Sequence, residues 1–229
     1  MKSAKGEFMR VRLSSLLAAA VAIALMFFAL PMRAENVPVG NTLAKDAGAA
    51  RQLVDKLHTE LLAVMKEAKT LGFQGRVQKL TPALETSYAF SDMARIAVGS
   101  HWKNFSDDQK QKVIAAFGRM SVATYASRLT DFDGERFEVT GVEALPPPDT
   151  GIVVRSRVVD RDGTDEKLVY RLRKTGNEWR IVDVFYRGAI SELATQRAQF
   201  LDVLKTGGYD ALIKRMEERT RDMAEGKEG

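Results

Sequence analysis

The side chains best suited to chemistry in this sequence are two histidines, His58 and His101, and one aspartate, Asp183. Histidine transfers protons near neutral pH and binds metals, and an aspartate within an apolar strand can act as a general base. Neither histidine belongs to a metal-ligand motif with neighbouring histidine or carboxylate residues. We therefore expect each histidine to be solvated or to cap a helix, and we predict no metal site and no cofactor.

Asp183 is the best enzymatic candidate because it interrupts the apolar run over residues 181–185. Small cone-shaped α+β folds use a strand aspartate as a proton-transfer base. No second group at a diagnostic spacing accompanies it, and the chain has no nucleophile elbow, phosphate-binding loop or dinucleotide fingerprint. We favour a structural aspartate that accepts hydrogen bonds from backbone N–H groups or arginine. A small enzyme with Asp183 as general base is the alternative.

The start of the chain has the three-part pattern of a secretory signal peptide. Basic residues precede an apolar run over residues 16–30, and Pro31 and Ala34 follow it. The run is shorter than the roughly 20 residues that a membrane-spanning helix needs. We therefore predict a signal peptide over residues 1–34, export to the periplasm, and a single domain over residues 35–229.

Charge and cysteine content exclude further classes of function. The chain has 35 basic and 30 acidic residues, and the predicted signal peptide holds five of the basic and one of the acidic residues. The remaining 30 basic and 29 acidic residues make a nearly neutral domain, so we predict no nucleic-acid partner. The chain has no cysteine, which excludes thiol catalysis and cysteine-ligated metal sites.

The first half of the chain has helical periodicity. Apolar residues spaced by three and four predict a helix over residues 43–71 that ends at Gly72, and further helices over 76–90 and 91–98, the last capped by Ser91-Asp92. Ser106–Gln109 has the sequence of a capping box, which predicts a helix that reaches about residue 129.

After Gly134 apolar residues recur at every second position, which predicts that strands begin there. Turn residues at Asp162-Gly163 and Gly176-Asn177 join the strands into an antiparallel meander. Ser191 caps a helix that runs to about residue 205, and a final helix starts at Asp210. The predicted fold class is therefore α+β, with an antiparallel sheet of about four strands covered on one face by helices.

Arginines alternate with apolar residues along the predicted strands, so they belong to the sheet face opposite the core. They are Arg155, Arg157, Arg171, Arg173 and Arg180. Acidic residues lie close by in sequence, which makes a solvated face the simpler interpretation. A docking surface for an acidic partner is the alternative.

Several short segments carry a family resemblance through their order and spacing. They are Phe90–Ala94, Gly99–Trp102, Ser106–Gln109, Trp179–Val184 and Gly188–Ala194, followed by Arg197, Phe200 and Gly207-Gly208. Together they resemble the toluene-tolerance family of periplasmic phospholipid-binding proteins, the MlaC type, over about residues 52–216. The resemblance implies an NTF2-like or MlaC-like fold in which acyl chains enter an apolar cavity between sheet and helices. It also implies lipid transport between membrane complexes without covalent chemistry.

The resemblance also bears on the lipid and the partners. Gly188–Ala194 is similar to the hopanoid-associated HpnM branch, and Gln196 stands where the phospholipid shuttles tend to have a tyrosine. The expected ligand is therefore a phospholipid or a hopanoid. The implied partners are an inner-membrane ABC-type lipid transport complex and, beyond it, an outer-membrane lipoprotein complex. A periplasmic adaptor that binds only proteins is a further alternative.

A lipid tail needs a dry apolar slot, because each buried methylene contributes about 0.8 kcal/mol. The residues that we predict to line or frame this slot are Trp102, Phe105, Phe117, Met120, Val154, Tyr170, Trp179, Val184 and Phe200. Arg197 is predicted to lie near the head group or to brace the last strand.

Overall fold

The computed structural model describes residues 41–227, so the predicted signal peptide over residues 1–34 lies outside the described part of the chain. The helices before the sheet are α1 (Asn41–Lys66), α2 (Ala68–Ser87), α3 (Phe90–Val98) and α4 (Asp107–Arg128), with a 3-10 helix over Gly99–Asn104. One long helix, α5 (Glu192–Ala224), follows the sheet. Within residues 41–227 no helix is long and apolar enough to cross a membrane.

The sheet has five strands in sequential order. They are β1 (Arg136–Ala144), β2 (Ile152–Val159), β3 (Asp165–Thr175), β4 (Glu178–Tyr186) and β5 (Ile190–Ser191). All neighbouring strands are antiparallel, which confirms the predicted meander and the α+β class. The prediction of about four strands missed β5, because a strand of two residues is too short to show a period-two pattern.

The core lies between the helices and one face of the sheet. Val154 pairs with Tyr170 and Tyr170 pairs with Val184, so these three side chains form a buried row across β2, β3 and β4. From the helical side, α1 contributes Leu57 and Leu61, which are spaced by four residues and lie on one buried face. The removal of these apolar surfaces from water is the main force that holds helices on the sheet.

Two glycines interrupt the helical conformation within α2 and α5. Gly72 has φ +59° within α2, and Gly208 has φ +67° within α5. Glycine adopts this left-handed region at little cost, so the chain changes direction and the helix resumes on the other side. The first helix ends earlier than predicted, at Lys66, and the predicted break at Gly72 falls within α2. The kink at Gly208 divides α5 into two helical parts, which agrees with the two predicted C-terminal helices.

Two of the three predicted helix caps are confirmed. Ser106 Oγ accepts from the backbone N–H of Gln109 at 3.2 Å, and Gln109 Oε1 accepts from the backbone N–H of Ser106 at 3.0 Å. Ser191 Oγ accepts from the backbone N–H of Ala194 at 2.8 Å and starts α5. The predicted cap at Ser91 is wrong, because α3 begins at Phe90 after Ala89, whose backbone N–H donates to the carbonyl of Ile181 in β4.

Candidate functional site

A cleft of about 830 Å³ opens between α2, α4 and the C-terminal part of α5. Its half-buried apolar side chains come from α2, the start of α3 and α4, and include Phe73, Val77, Phe90 and Ile114. A volume of this size lies within the range of protein pockets that bind small molecules. An apolar cleft of this kind suits the hydrocarbon part of an amphiphile.

The cleft follows from residue spacing on its helical walls. On α2, Phe73, Val77 and Thr81 are spaced by four residues and face the same side. On α4, Ala115 presents only a methyl group and Gly118 no side chain, so the opposing helices do not close the space between them. The small residues of α4 therefore leave room beside the larger side chains of both walls.

The charged side chains that line the cleft are mostly exposed and lie at its rim. They are Glu85, Arg119, Arg180, Glu217 and Arg221. Arg180 hydrogen-bonds to Glu178 and to the last carbonyls of α2. Arg119 forms no ion pair and no side-chain hydrogen bond with residues 41–227 and is available to an anionic group at the rim.

A second, small chamber of about 30 Å³ shares Tyr88 and Phe90 with the cleft. Its other lining residues are Met93, Ser121, Thr124, Tyr125, Arg128, Val184, Tyr186, Glu192 and Gln196. The Tyr88 and Tyr125 hydroxyls hydrogen-bond to each other, and Arg128 Nη1 donates to the Tyr186 hydroxyl at 2.8 Å. Burial raises the pKa of Tyr88, Tyr125 and Tyr186, so these phenols stay neutral and act as hydrogen-bonding groups.

The cleft does not open between the sheet and the helices, where a cavity was predicted. Core side chains fill the space between the sheet and the helices. Phe117, Met120, Val154, Tyr170 and Phe200 are fully or almost fully buried there. Of the ten predicted site residues, Val184 lines the small chamber and none lines the cleft. The part that these residues play in binding stays a prediction.

The remaining predicted aromatic residues lie at the margins of the core. Phe105 and Trp179 are buried, and Trp102 is half-buried. Phe117 packs behind the cleft wall, with its ring centroid 6.3 Å from that of Phe90. Phe73 and Val77 carry no sequence signal that marks them as cleft residues, since half-buried apolar residues on a helix look alike whether they face a cleft or the edge of a core.

Arg197 lies on α5 away from the cleft. Its guanidinium donates a hydrogen bond to the carbonyl of Ile96 near the end of α3, and it lines a small cavity of about 170 Å³ with Arg171 and Val182. A cation at a helix C-terminus is favourable because the last carbonyls carry partial negative charge. Arg197 therefore braces the end of α3, and its predicted place near a head group stays a prediction.

We expect Gly99→Ala to lower the free energy of unfolding by about 2 kcal/mol. Gly99 has φ +58°, and a Cβ there would lie 2.8 Å from both terminal nitrogens of Arg197. Urea denaturation monitored by circular dichroism measures the change. Gly48→Ala is the control, since Gly48 lies in α1 with open space around it and alanine favours a helix. Equal stability of the two variants would contradict the prediction.

His58 is buried, and the expectation of a solvated or capping histidine is wrong for it. Its Nε2 lies 3.1 Å from the Tyr170 hydroxyl oxygen, and its ring stacks on Phe137 with centroids 4.5 Å apart. Desolvation lowers the pKa of His58 to about 4, so the ring is neutral at physiological pH. His101 lies half-buried in the 3-10 helix. Across residues 41–227, no group of three or more histidine and acidic residues could hold a metal ion.

Asp183 has the hydrogen bonds predicted for a structural aspartate. Its Oδ1 accepts from the backbone N–H groups of Val184 at 2.8 Å and Leu193 at 3.1 Å. Its Oδ2 accepts from the Ser191 hydroxyl at 2.6 Å. Both carboxylate oxygens are therefore engaged in holding β4 to the start of α5.

The arginines of the outer sheet face are paired with acidic residues. Arg155 pairs with Glu143, Arg157 with Glu138 and Asp165, Arg171 and Arg173 with Asp149, and Arg180 with Glu178. A hydrogen bond from the backbone N–H of Gly151 and both arginines lower the pKa of Asp149 to about 2. The face is therefore balanced in charge, which favours the solvated-face interpretation over a basic docking surface.

Comparison with known proteins places this architecture among lipid-binding proteins. The family model described as MlaC protein matches residues 55–218. The intermembrane phospholipid transport system binding protein MlaC of Haemophilus influenzae is 25% identical over 174 residues, which cover 73% of this chain and 78% of that protein. The solved structure of a phospholipid-binding protein from Ralstonia solanacearum, in complex with a phospholipid, is similar with a TM-score of 0.67 and 26% identity. The match covers 76% of this chain and 98% of that one.

Proposed function

The chain belongs to the MlaC family, and from this premise we propose that it is a periplasmic carrier that holds the apolar chains of a phospholipid in the cleft. The observation that carries the proposal is the cleft of about 830 Å³ between α2, α4 and α5, with apolar walls and a charged rim. The relative that was solved with a phospholipid and the relative named for intermembrane phospholipid transport support it.

The physical chemistry of the cleft fits a carrier. A lipid tail leaves a membrane only if another apolar environment replaces the bilayer, because each exposed methylene costs about 0.8 kcal/mol. Phe73, Val77 and Ile114 offer such an environment. Arg119 and Arg221 at the rim attract a phosphate that stays in water, where screening keeps the attraction weak and reversible. A carrier that must release its lipid benefits when the tails are bound in an apolar cleft and the phosphate is held only weakly in water.

We propose that residues 1–34 direct export and that residues 35–229 act as one domain that shuttles lipid. The inferred partners are an inner-membrane ABC-type complex and an outer-membrane lipoprotein complex, as the sequence resemblance implies. We also retain a framing role for the predicted core residues, among which Phe117 lies directly behind Phe90. Among the predicted core residues, Phe117 is therefore the one that packs against a lining residue of the cleft.

The two lipid classes that we consider as ligands are phospholipids and hopanoids. A phospholipid is our first proposal, and a hopanoid is the second, because Gly188–Ala194 is similar to the hopanoid-associated branch. Native mass spectrometry of the protein purified from a periplasm, with organic extraction and lipid identification, tests both. We expect one lipid per chain, and its identity selects the class. A ligand-free mass that persists after incubation with vesicles of bacterial lipids would contradict the carrier and favour an adaptor or an enzyme.

We expect Ala115→Trp to weaken lipid binding at least about tenfold. Ala115 is an exposed alanine on the α4 wall of the cleft, so an indole there occupies ligand space without entering the core. The measurement is the dissociation constant for phosphatidylethanolamine. Ala49→Trp, at an exposed position of α1 that lines none of the cavities described above, is the matched control and should bind as the parent does. Equal binding by both variants would place the lipid elsewhere.

A further inference from the structure

Gln196 is the unusual residue of the small chamber. The side chain is 5% exposed, and its Oε1 accepts no hydrogen bond from the described part of the chain. Its Nε2 donates to Glu192 Oε1 at 3.3 Å. A buried acceptor without a partner costs about 1–3 kcal/mol, so a donor from a water molecule or a ligand would stabilise this site.

The orientation of the amide follows from its neighbour. A reversed Gln196 amide would bring its oxygen against the Glu192 carboxylate, and two acceptors would then repel each other at hydrogen-bond distance. Arg128 Nη2 lies 3.9 Å from Glu192 Oε2, so the Glu192 carboxylate forms an ion pair on its other side. The nitrogen of Gln196 therefore belongs on Glu192, and the oxygen is left for another donor.

The other polar groups of the chamber have partners. Ser121 and Thr124 donate to the carbonyls of Phe117 and Met120 within α4. The Tyr88 and Tyr125 hydroxyls bond to each other, and Tyr186 accepts from Arg128. What the chamber lacks is therefore specific: one hydrogen-bond donor directed at Gln196.

Size and access limit what that donor can be. The chamber has about 30 Å³, the space of one water molecule or one hydroxyl group, which excludes a lipid head group. Tyr88 and Phe90 line both the cleft and the chamber, and their rings stack with centroids 5.7 Å apart. A ligand that lies in the cleft would reach the chamber beside this pair of rings.

We propose that the chamber is a subsite for a hydroxyl group on the part of the lipid that enters the cleft first, and that Gln196 Oε1 accepts its hydrogen bond. The proposal rests on the carrier function. It makes the protein selective for a hydroxylated amphiphile over one whose chains end only in methyl groups. Selectivity arises because the hydroxyl satisfies Gln196, whereas a methyl group leaves the amide oxygen buried and unpaired.

The test compares two phosphatidylethanolamines that differ only by a terminal hydroxyl on one acyl chain. We expect the parent protein to bind the hydroxylated lipid about five- to tenfold more tightly, as one neutral hydrogen bond allows. In Gln196→Leu the ratio of the two dissociation constants falls to about one. Gln111→Leu, an exposed glutamine on α4 that lines neither cavity, is the matched control and keeps the ratio.

Each outcome decides a different claim. Equal affinities of the parent protein for the two lipids would overturn the subsite and assign the chamber to a water molecule. A preference that survives in Gln196→Leu would also overturn the role of Gln196. If neither lipid binds the parent protein, the carrier function itself fails. The comparison within the parent protein stands even if Gln196→Leu does not fold.

Discussion

Replacing Asp183 with alanine is expected to lower the free energy of unfolding by about 4 kcal/mol. The carboxylate is 8% exposed and accepts three hydrogen bonds, two of them from backbone N–H groups of Val184 and Leu193. Alanine leaves these N–H groups buried without an acceptor and frees the Ser191 hydroxyl, so the start of α5 loses its attachment to β4. Urea denaturation monitored by circular dichroism measures the loss.

Asp202→Ala is the control, because Asp202 is exposed on α5 and its substitution should change stability by less than about 0.5 kcal/mol. A loss below about 1 kcal/mol for Asp183→Ala would contradict the structural role. Asp183→Asn addresses the enzymatic alternative. A carrier would still bind lipid in this variant under conditions where the protein is folded. An enzyme with Asp183 as general base would lose its turnover, because asparagine cannot accept the proton.

Acidification from about pH 6.5 to about pH 4 is expected to cost about 3 kcal/mol of folding stability through His58. An unfolded chain protonates this histidine near its ordinary pKa of 6.5, whereas burial lowers the pKa in the folded protein to about 4. Between these values the unfolded state binds more protons, so stability falls as the pH falls. Above about pH 6.5 the histidine is neutral in both states and contributes no pH dependence.

The measurement is the free energy of unfolding of the parent protein and of His58→Phe across pH 4 to 8. Phenylalanine keeps a ring against Phe137 but cannot take up a proton. The variant is expected to lose less stability than the parent below pH 6.5, and the two curves should run parallel above it. Curves that stay parallel down to pH 4 would show that His58 does not titrate as inferred.

Local patterns predicted the elements of this fold well. The alternation of Leu168, Tyr170 and Leu172 gave a strand with one buried face, and the capping box at Ser106 gave the start of α4 within one residue. Such features depend on neighbours only a few residues away, so they can be read from the sequence. The interpretation of Asp183 as structural followed from the lack of a second group at a diagnostic spacing, although its partner Leu193 could not be predicted.

The sequence by itself determined the α+β class, the order of the elements and the family resemblance, because periodicity, capping and turn chemistry are local. Tertiary structure alone decided that His58 is buried against Phe137, that the aromatic residues between sheet and helices fill a closed core, and that the cleft opens along Ala115 on α4. Whether an apolar side chain fills a core or lines a cavity depends on what faces it from elements distant in sequence. That pairing is set by packing, and no pattern within one helix specifies it.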